Sequence, residues 1–431
     1  MSSGPRAAAR AIFDAALAAG DVRPLVRRAL ARVELAPGGR VVAVGAGKAS
    51  GPMATAAEET LGERIAGGLV AVKDGHGAPT HRIRLAEAGH PVPDARGAAA
   101  AREILDLAAA AGPDDVVLVL ISGGGSALLP APVPPITLEE KQTLTRLLLR
   151  AGATINQLNA VRKHCSRLKG GQLARAAAPA RVVSLLLSDV IGDPLDVIAS
   201  GPTAPDDSTF GEALAILERL AVRDGMPRSI LDRLRRGAAG ELPETPKAGD
   251  PLFARVENAV IGNNQLVVDA ALSRCRDLGL APHLLGRAVE GEAREVGRGM
   301  VALGREIAAG RGPVRPPACV IAAGETTVTV RGNGLGGRAQ EMALSAALDL
   351  DGSDGLVLLA AGTDGSDGPT PAAGGIADGG TAARIRGAGR DPAAALADND
   401  AHPALAAAGD LIVTGPTSTN LLDLYLLVVA G

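Results

Sequence analysis

Three consecutive glycines set between two serines, Ser122, Gly123, Gly124, Gly125 and Ser126, directly follow the apolar run Val116–Ile121. Losing the Cβ at three positions lets backbone N–H groups approach an anion, and a helix starting near Ser126 would add its positive end. VVAVGAGKAS invites the same reading, with Gly47 and Lys48 just past a strand. A phosphate-binding P-loop would need glycine at Val42 and a hydroxyl residue at Ala49. A dinucleotide fingerprint would need glycine at Ser50, so neither motif is complete. A lysine beside a helix N-terminus opposes the dipole, which marks Lys48 as a candidate for contact with a bound anion. LNAVRKHCSRLKGGQL gathers Asn159, Arg162, His164, Ser166 and Lys169. These are many polar groups for a surface face, although a solvated helix accounts for any one of them.

Carboxylates follow other strands. SDVIGDP places Asp189 and Asp193 after the run Arg181–Leu187. One or two carboxylates at a strand end suit magnesium, or a base that deprotonates a hydroxyl. Asp189 is nearer the strand, whereas Asp193 also fits ordinary turn chemistry. Farther on, Glu325 begins a segment that continues through GNGLGG, with Gly336 and Gly337, to Arg338 at a helix start. Glycines there would let the backbone wrap a ligand, and Arg338 can hold carboxylate or phosphate in a two-pronged fork. GTDGSDG adds Asp364 and Asp367 without the ligand spacing of a calcium loop. Glycine turns, a lysine, an arginine and aspartates, with no thiolate and no convincing nucleophile–base pair, fit phosphoryl transfer. That reaction needs positioned phosphates, a metal and positive charge more than covalent chemistry from the protein.

The elements that must hold these groups alternate strand, turn and helix. Strands are expected at Arg40–Val44, Gly68–Val72, Val116–Ile121 and Arg181–Leu187, with helices over Arg96–Ala111 and Ile136–Ala151. Unbroken β-branched and leucine runs are typical of strands buried on both faces of a parallel sheet. RRGAAGELPETPKAGDP has linker composition, so the predicted domains are residues 1–248 and 249–431. From Val256 the alternation restarts, with strands near Pro282–Leu285, Cys319–Ala323, Leu356–Ala360 and Leu424–Val429. The expected class is α/β in two domains, the first with a mostly parallel sheet and helices on both faces, and motifs contributed by both halves point to an active site in the cleft between them.

Composition narrows the choice. At 431 residues the chain exceeds one ordinary core. Only 1% of it is aromatic, so stacking platforms for bases are scarce. A net charge of −3 gives no basic footprint, which disfavours nucleic-acid or membrane-surface partners. Cys165, Cys275 and Cys319 are odd in number and far apart, which excludes a disulfide framework and reads as free thiols in a reducing compartment. The start, AIFDAALAAG, is too short and polar for a signal segment, and no window is long and apolar enough to span a bilayer, so the expected location is the cytoplasm.

Eight blocks in order, VVAVGAGKAS, AGHPVPD, LISGGGSALLPAP, LNAVRKHCSRLKGGQLA, LLLSDVIGDPLDVIASGPTAPD, AAGETTVTVRGNGLGGRAQE, AAGTDGSDGPT and TGPTSTNLLDLYLLVVAG, resemble the glycerate 2-kinase family over nearly the whole chain. The resemblance implies a Rossmann-like N-terminal domain, a C-terminal MOFRL domain, and ATP-dependent, magnesium-assisted phosphorylation of D-glycerate at its 2-hydroxyl. Members have also been labelled hydroxypyruvate reductases, the NAD(P)-dependent alternative, which the incomplete fingerprint at Gly45–Ser50 does not support. Carried over by position, Lys48 and Arg338 would contact substrate or the transferred phosphoryl group. Ser122–Ser126, together with Gly47, Asn159, Gly336 and Gly337, would line the nucleotide or substrate. Asp189, with Glu325 and Asp364 behind it, would bind metal or accept the hydroxyl proton. Ala339 departs from the family, which more often has asparagine there, so a hydrogen bond at that point would be missing or come from Gln340. Monomer and homodimer both stay open.

Overall fold

The computed structural model describes residues 4–417 and 419–431; Ser418, inside the last of the eight blocks, lies outside the described residues. The chain forms two compact units, Val22–Ile261 and Gly262–Gly431, the latter joined by the helix Pro5–Ala19.

The first unit is built on strands β1 (Val41–Ala46), β2 (Ile65–Lys73), β3 (Ile83–Ala88), β4 (Val116–Ile121), β5 (Arg181–Leu187) and β6 (Val256–Gly262), in the order β3-β2-β1-β4-β5-β6. The pairs β2–β3, β1–β2, β1–β4 and β4–β5 are all parallel. This is the Rossmann strand order, in which the chain reverses its direction of winding between β1 and β4. All six residues of β4 are buried, as expected of a strand covered on both faces. A second apolar cluster lies among the helices Leu138–Arg150, Ile155–His164, Phe210–Arg219 and Arg228–Ala238. Thr137 with Glu140 and Thr154 with Gln157 form capping boxes that fix where the first two of these begin. Such caps stabilise a helix start by about 1 kcal/mol.

The second unit's sheet holds β7 (Ala281–Val289), β8 (Ala318–Gly324), β9 (Leu356–Gly362), β10 (Gly374–Asp378), β11 (Leu411–Ile412) and β12 (Asp423–Val429), ordered β11-β10-β9-β12-β8-β7. The crossovers from β7 to β8 and from β8 to β9 through the helices Ala293–Ala308 and Arg338–Leu350 give three strands of one direction. The terminal β12 then inserts antiparallel between β8 and β9. This insertion, together with β10 lying antiparallel to β9 and β11, makes the sheet mixed, although the strand–helix alternation alone reads as parallel.

The break expected at residue 248 falls elsewhere. The linker-like stretch is fastened to the first unit, because the Asp206 amide donates to the Pro246 carbonyl at 2.9 Å and the Thr245 hydroxyl donates to Asp206 at 2.9 Å. The chain then continues into β6 at the edge of the same sheet. At the other end, Arg6 of the first helix pairs with Asp378 and Asp410, and so ties that helix to the second unit.

Candidate active site

In a doubly wound sheet, ligands bind outside the carboxyl ends of the strands where the winding reverses. The turns after β1 and β4 occupy that point and are bonded to each other. The Lys48 amide donates to the Gly123 carbonyl at 2.9 Å, and the Ala49 amide donates to the Ser122 hydroxyl at 2.9 Å. The Ser50 and Ser122 hydroxyls are 3.1 Å apart. Gly47 has φ 151°, and a Cβ there would stand 2.0 Å from the Ser122 hydroxyl oxygen, so no other residue lets the two turns close. Ser122 is therefore occupied in joining the turns. The Gly123 and Gly124 amides take no part in these bonds. The helix after them runs only from Gly125 to Leu128. One turn carries little of the dipole that a long helix would contribute, so an anion held here would depend on individual amides more than on a macrodipole.

The turn is buttressed from behind. The Ser126 and Ser200 hydroxyls are 2.7 Å apart, and Ser200 donates to the buried Asn159 amide oxygen at 3.0 Å. Lys169, fully buried, donates to the Ser126 carbonyl at 3.0 Å. Ala199 and Ser200 hold φ values of 50° and 63°, a left-handed conformation costly for residues with a Cβ. Asn159 thus supports the turn from below, a role its position in the sequence did not reveal. His90, which no motif spacing marks, also stands at this turn: its ring would lie 3.1 Å from a Cβ on Gly124. Asp189 leaves β5 at the end of the sheet from which Ser122 leaves β4, since Ile121 pairs with Leu186.

The rest of the polar segment is largely structural. His164 lies between the Ala160 carbonyl, 2.7 Å, and Glu244, 3.0 Å, and packs edge-on against Phe210. Ser166 accepts the Leu168 and Lys169 amides, both at 3.2 Å. Lys163 pairs with Asp196 and Asp206 at 3.0 and 3.3 Å.

In the second unit, Arg338 is the centre of a carboxylate network. Its Nε and Nη2 donate to Asp423 at 2.6 and 3.2 Å, and its Nη1 donates to Glu325 at 2.5 Å. The Tyr425 hydroxyl donates to Asp423 at 3.1 Å. Burial works against the Arg338 charge, yet Asp423 and Glu325 raise its pKa above the ordinary arginine value. Burial, with Glu325 acting the same way, lifts the Asp423 carboxyl above its usual range although Arg338 pulls it down. Asp423 is the partner that sequence reasoning missed; its signal was a lone acid opening an otherwise apolar strand.

Gly337 leads into this helix against the loop after β9, and a Cβ there would meet the Asp367 carboxylate at 2.3 Å. Asp367 accepts the Ala339 and Gln340 amides at 3.2 and 2.8 Å, and the Gln340 side chain bonds Asp367 and Thr370. Burial, reinforced by Asp423, pushes the Asp367 carboxyl up to about 7. Asp364 closes a turn on Ser366, accepting its amide at 2.9 Å. The preceding glycine loop departs from the expected ligand wrap. The amides of Arg331, Gly332, Asn333, Gly334 and Leu335 are all taken by Asp398, Asn399 and Asp400. These five donors shape the loop, which leaves Gly336 and Gly337 as the candidates for contact.

A Rossmann-order sheet with glycine turns at its switch point, followed by a mixed-sheet unit carrying an arginine–carboxylate network, defines a two-unit α/β protein. Known proteins share this arrangement. A family model described as a domain of unknown function, DUF4147, matches residues 8–235, and the MOFRL family model matches residues 318–423. A D-glycerate 2-kinase of Thermotoga maritima is 45% identical over 90% of each chain. A crystal structure of glycerate kinase from that organism superposes with a TM-score of 0.87 at 43% identity, covering 98% of this chain and 99% of that one. A protein of Agrobacterium vitis provisionally named a hydroxypyruvate reductase is 42% identical over 97% of this chain and 93% of its own. The chain belongs to the glycerate 2-kinase family.

Proposed function

We propose that this chain transfers the γ-phosphoryl group of ATP to the 2-hydroxyl of D-glycerate, giving 2-phosphoglycerate and ADP. The carrying observation is the joined pair of turns at the switch point, with Lys48 bonded through its amide to Gly123, in a chain 45% identical to a D-glycerate 2-kinase. In the reaction the hydroxyl oxygen attacks phosphorus, the bond to the ADP oxygen breaks, and the hydroxyl proton passes to a carboxylate, for which Asp189 is the candidate. The Gly123 and Gly124 amides and the Lys48 ammonium would hold phosphate oxygens, with Gly47 keeping the cradle closed. Arg338, oriented by Asp423 and Glu325, would offset charge on the transferred group.

Among the described residues no three His, Cys, Asp or Glu side chains converge as a cation cage. A magnesium ion would then rest on one carboxylate, with Asp189 proposed ahead of Asp364, plus nucleotide phosphates and water, a donor set that magnesium accepts. When bound, it would neutralise phosphate charge.

The reductase reading is not favoured. Where the dinucleotide fingerprint requires a glycine for close packing of helix on strand, buried Ser50 hydrogen-bonds Ser122. Incubation with ATP, magnesium and D-glycerate, with product identification, tests the proposal: 2-phosphoglycerate and ADP are expected. Sole production of 3-phosphoglycerate would overturn the regiochemistry, and NADH oxidation by hydroxypyruvate without ATP would overturn the reaction class.

A further inference from the structure

Three cations sit in the helical part of the first unit without an acid to answer them. Lys141 is 2% exposed, Arg162 9% and Lys169 0%. Among the described residues none of the three forms a salt bridge, and neither Lys141 Nζ nor Arg162 Nε has a hydrogen-bond partner. Their neighbour Lys163 does not share this condition, since Asp196 and Asp206 neutralise it.

The three charges act on one another. Burial and then Arg162 push the Lys141 ammonium down to about 7. Burial, then Lys141 and Arg162, drive Lys169 well below the ordinary lysine value. A lysine escapes such a position by releasing its proton, but a guanidinium does not. Cys165, beside Lys141, offers no thiolate, because burial raises its thiol to about 11. Buried charge without a partner is strongly destabilising, and folded proteins keep such groups where a missing ion or ligand completes them.

Lys169 links this group to the Ser126 turn, and Lys141 and Arg162 lie close enough to act on its charge. Capping boxes fix the starts of the helices that carry Lys141 and Arg162. Arg162 lies one turn beyond Asn159 and so shares its face. Asn159 reaches Ser126 through Ser200, and Lys169 bonds the Ser126 carbonyl directly.

We infer that Lys141, Arg162 and Lys169 form a buried socket for a compact oxyanion, a carboxylate or phosphate group, on the helical side of the Ser126 turn. The socket itself needs no assumption about the reaction. The source of the anion does rest on the kinase reading, which offers the glycerate carboxylate and the nucleotide phosphates.

The test is calorimetric titration of the full chain, separately with inorganic phosphate, D-glycerate and ATP. Wild type should bind phosphate, and Arg162→Gln and Lys141→Met should each weaken that binding at least tenfold. Lys141→Met also guards against misfolding, since replacing an unpaired buried ammonium by an isosteric apolar chain should leave the ligand-free melting temperature equal or higher. Weakened glycerate binding with ATP binding intact assigns the carboxylate; the reverse assigns a nucleotide phosphate. If a folded Lys141→Met protein binds all three probes as wild type does, the socket is wrong, even if kinase activity is present. Loss of phosphate binding in the variants of a chain that makes no phosphoglycerate would uphold the socket and reject the kinase reading.

Discussion

Replacing Arg338 by methionine separates what this arginine does for the fold from what it does for the reaction. The substitution removes both bonds to Asp423, 2.6 and 3.2 Å long, and strands a carboxylate whose side chain is 5% exposed. Breaking a buried ion pair by deleting one partner costs about 3–5 kcal/mol. Arg338 keeps a third of its side-chain surface in water, 33%, so the lower end applies, about 3 kcal/mol. Urea unfolding at pH 7 should show that loss for Arg338→Met. The double variant Arg338→Met/Asp423→Asn should recover part of it, because no charge is then stranded, with a coupling of about 1–3 kcal/mol.

The pH dependence supplies a second check. Burial already lifts the folded-state pKa of Asp423, and removing Arg338 takes away the charge that opposes the rise. A carboxyl with a raised folded pKa binds its proton more tightly when folded, so its effect on stability is most favourable in acid and is lost as pH rises from about 4 toward the raised value. The gap between wild type and Arg338→Met should therefore widen from pH 4 to pH 7. Turnover should stay low in the double variant even where stability returns, if Arg338 meets the transferred phosphoryl group. A gap that does not change with pH, or a double variant no more stable than the single, would refute the argument.

Lys48→Ala should lower turnover at least tenfold, about 1.4 kcal/mol of transition-state stabilisation, with little change in melting temperature; near-normal turnover would remove Lys48 from the mechanism. Ala199→Gly should stabilise the chain by about 1 kcal/mol in urea unfolding, since the left-handed φ of 50° suits glycine; a loss of stability would mean that the Ala199 methyl packing outweighs the strain. Lys141, displaced from 10.5 to about 7 by burial and Arg162, binds its proton less tightly when folded, with Cys165 acting the other way. Wild-type stability should consequently gain up to about 1.4 kcal/mol per pH unit relative to Lys141→Met between pH 7 and 10, and parallel pH profiles would contradict it.

What the sequence disclosed follows from how local the determining physics is. β4 and β5 match their expected limits residue for residue, because an unbroken apolar run bounded by polar residues has few other ways to be buried. β3 escaped notice: as the sheet's edge strand it carries Arg84 and Glu87 in its short run and lacks an apolar signature. β10 was hidden in a glycine-rich stretch that reads as loop, and β6 reads as the start of a new domain because pairing partners leave no mark on a strand's own composition.

The site shows the same division more sharply. Gly47 could be recognised because the need for close approach, a Cβ there standing 2.0 Å from the Ser122 hydroxyl oxygen, is written in the residue type itself. Whether a glycine loop offers its amides to a ligand is decided elsewhere in the chain. The donors from Arg331 to Leu335 are consumed by Asp398, Asn399 and Asp400, more than sixty residues away, and no local pattern announces this. The converse holds for Arg162, which looks like one more polar residue on a helix beside Lys163. Only the fold gives Lys163 its two aspartates and leaves the Arg162 Nε without an acceptor. Sequence thus reveals which residues are able to bind an anion, whereas the accounting of partners reveals which of them remain available to do so.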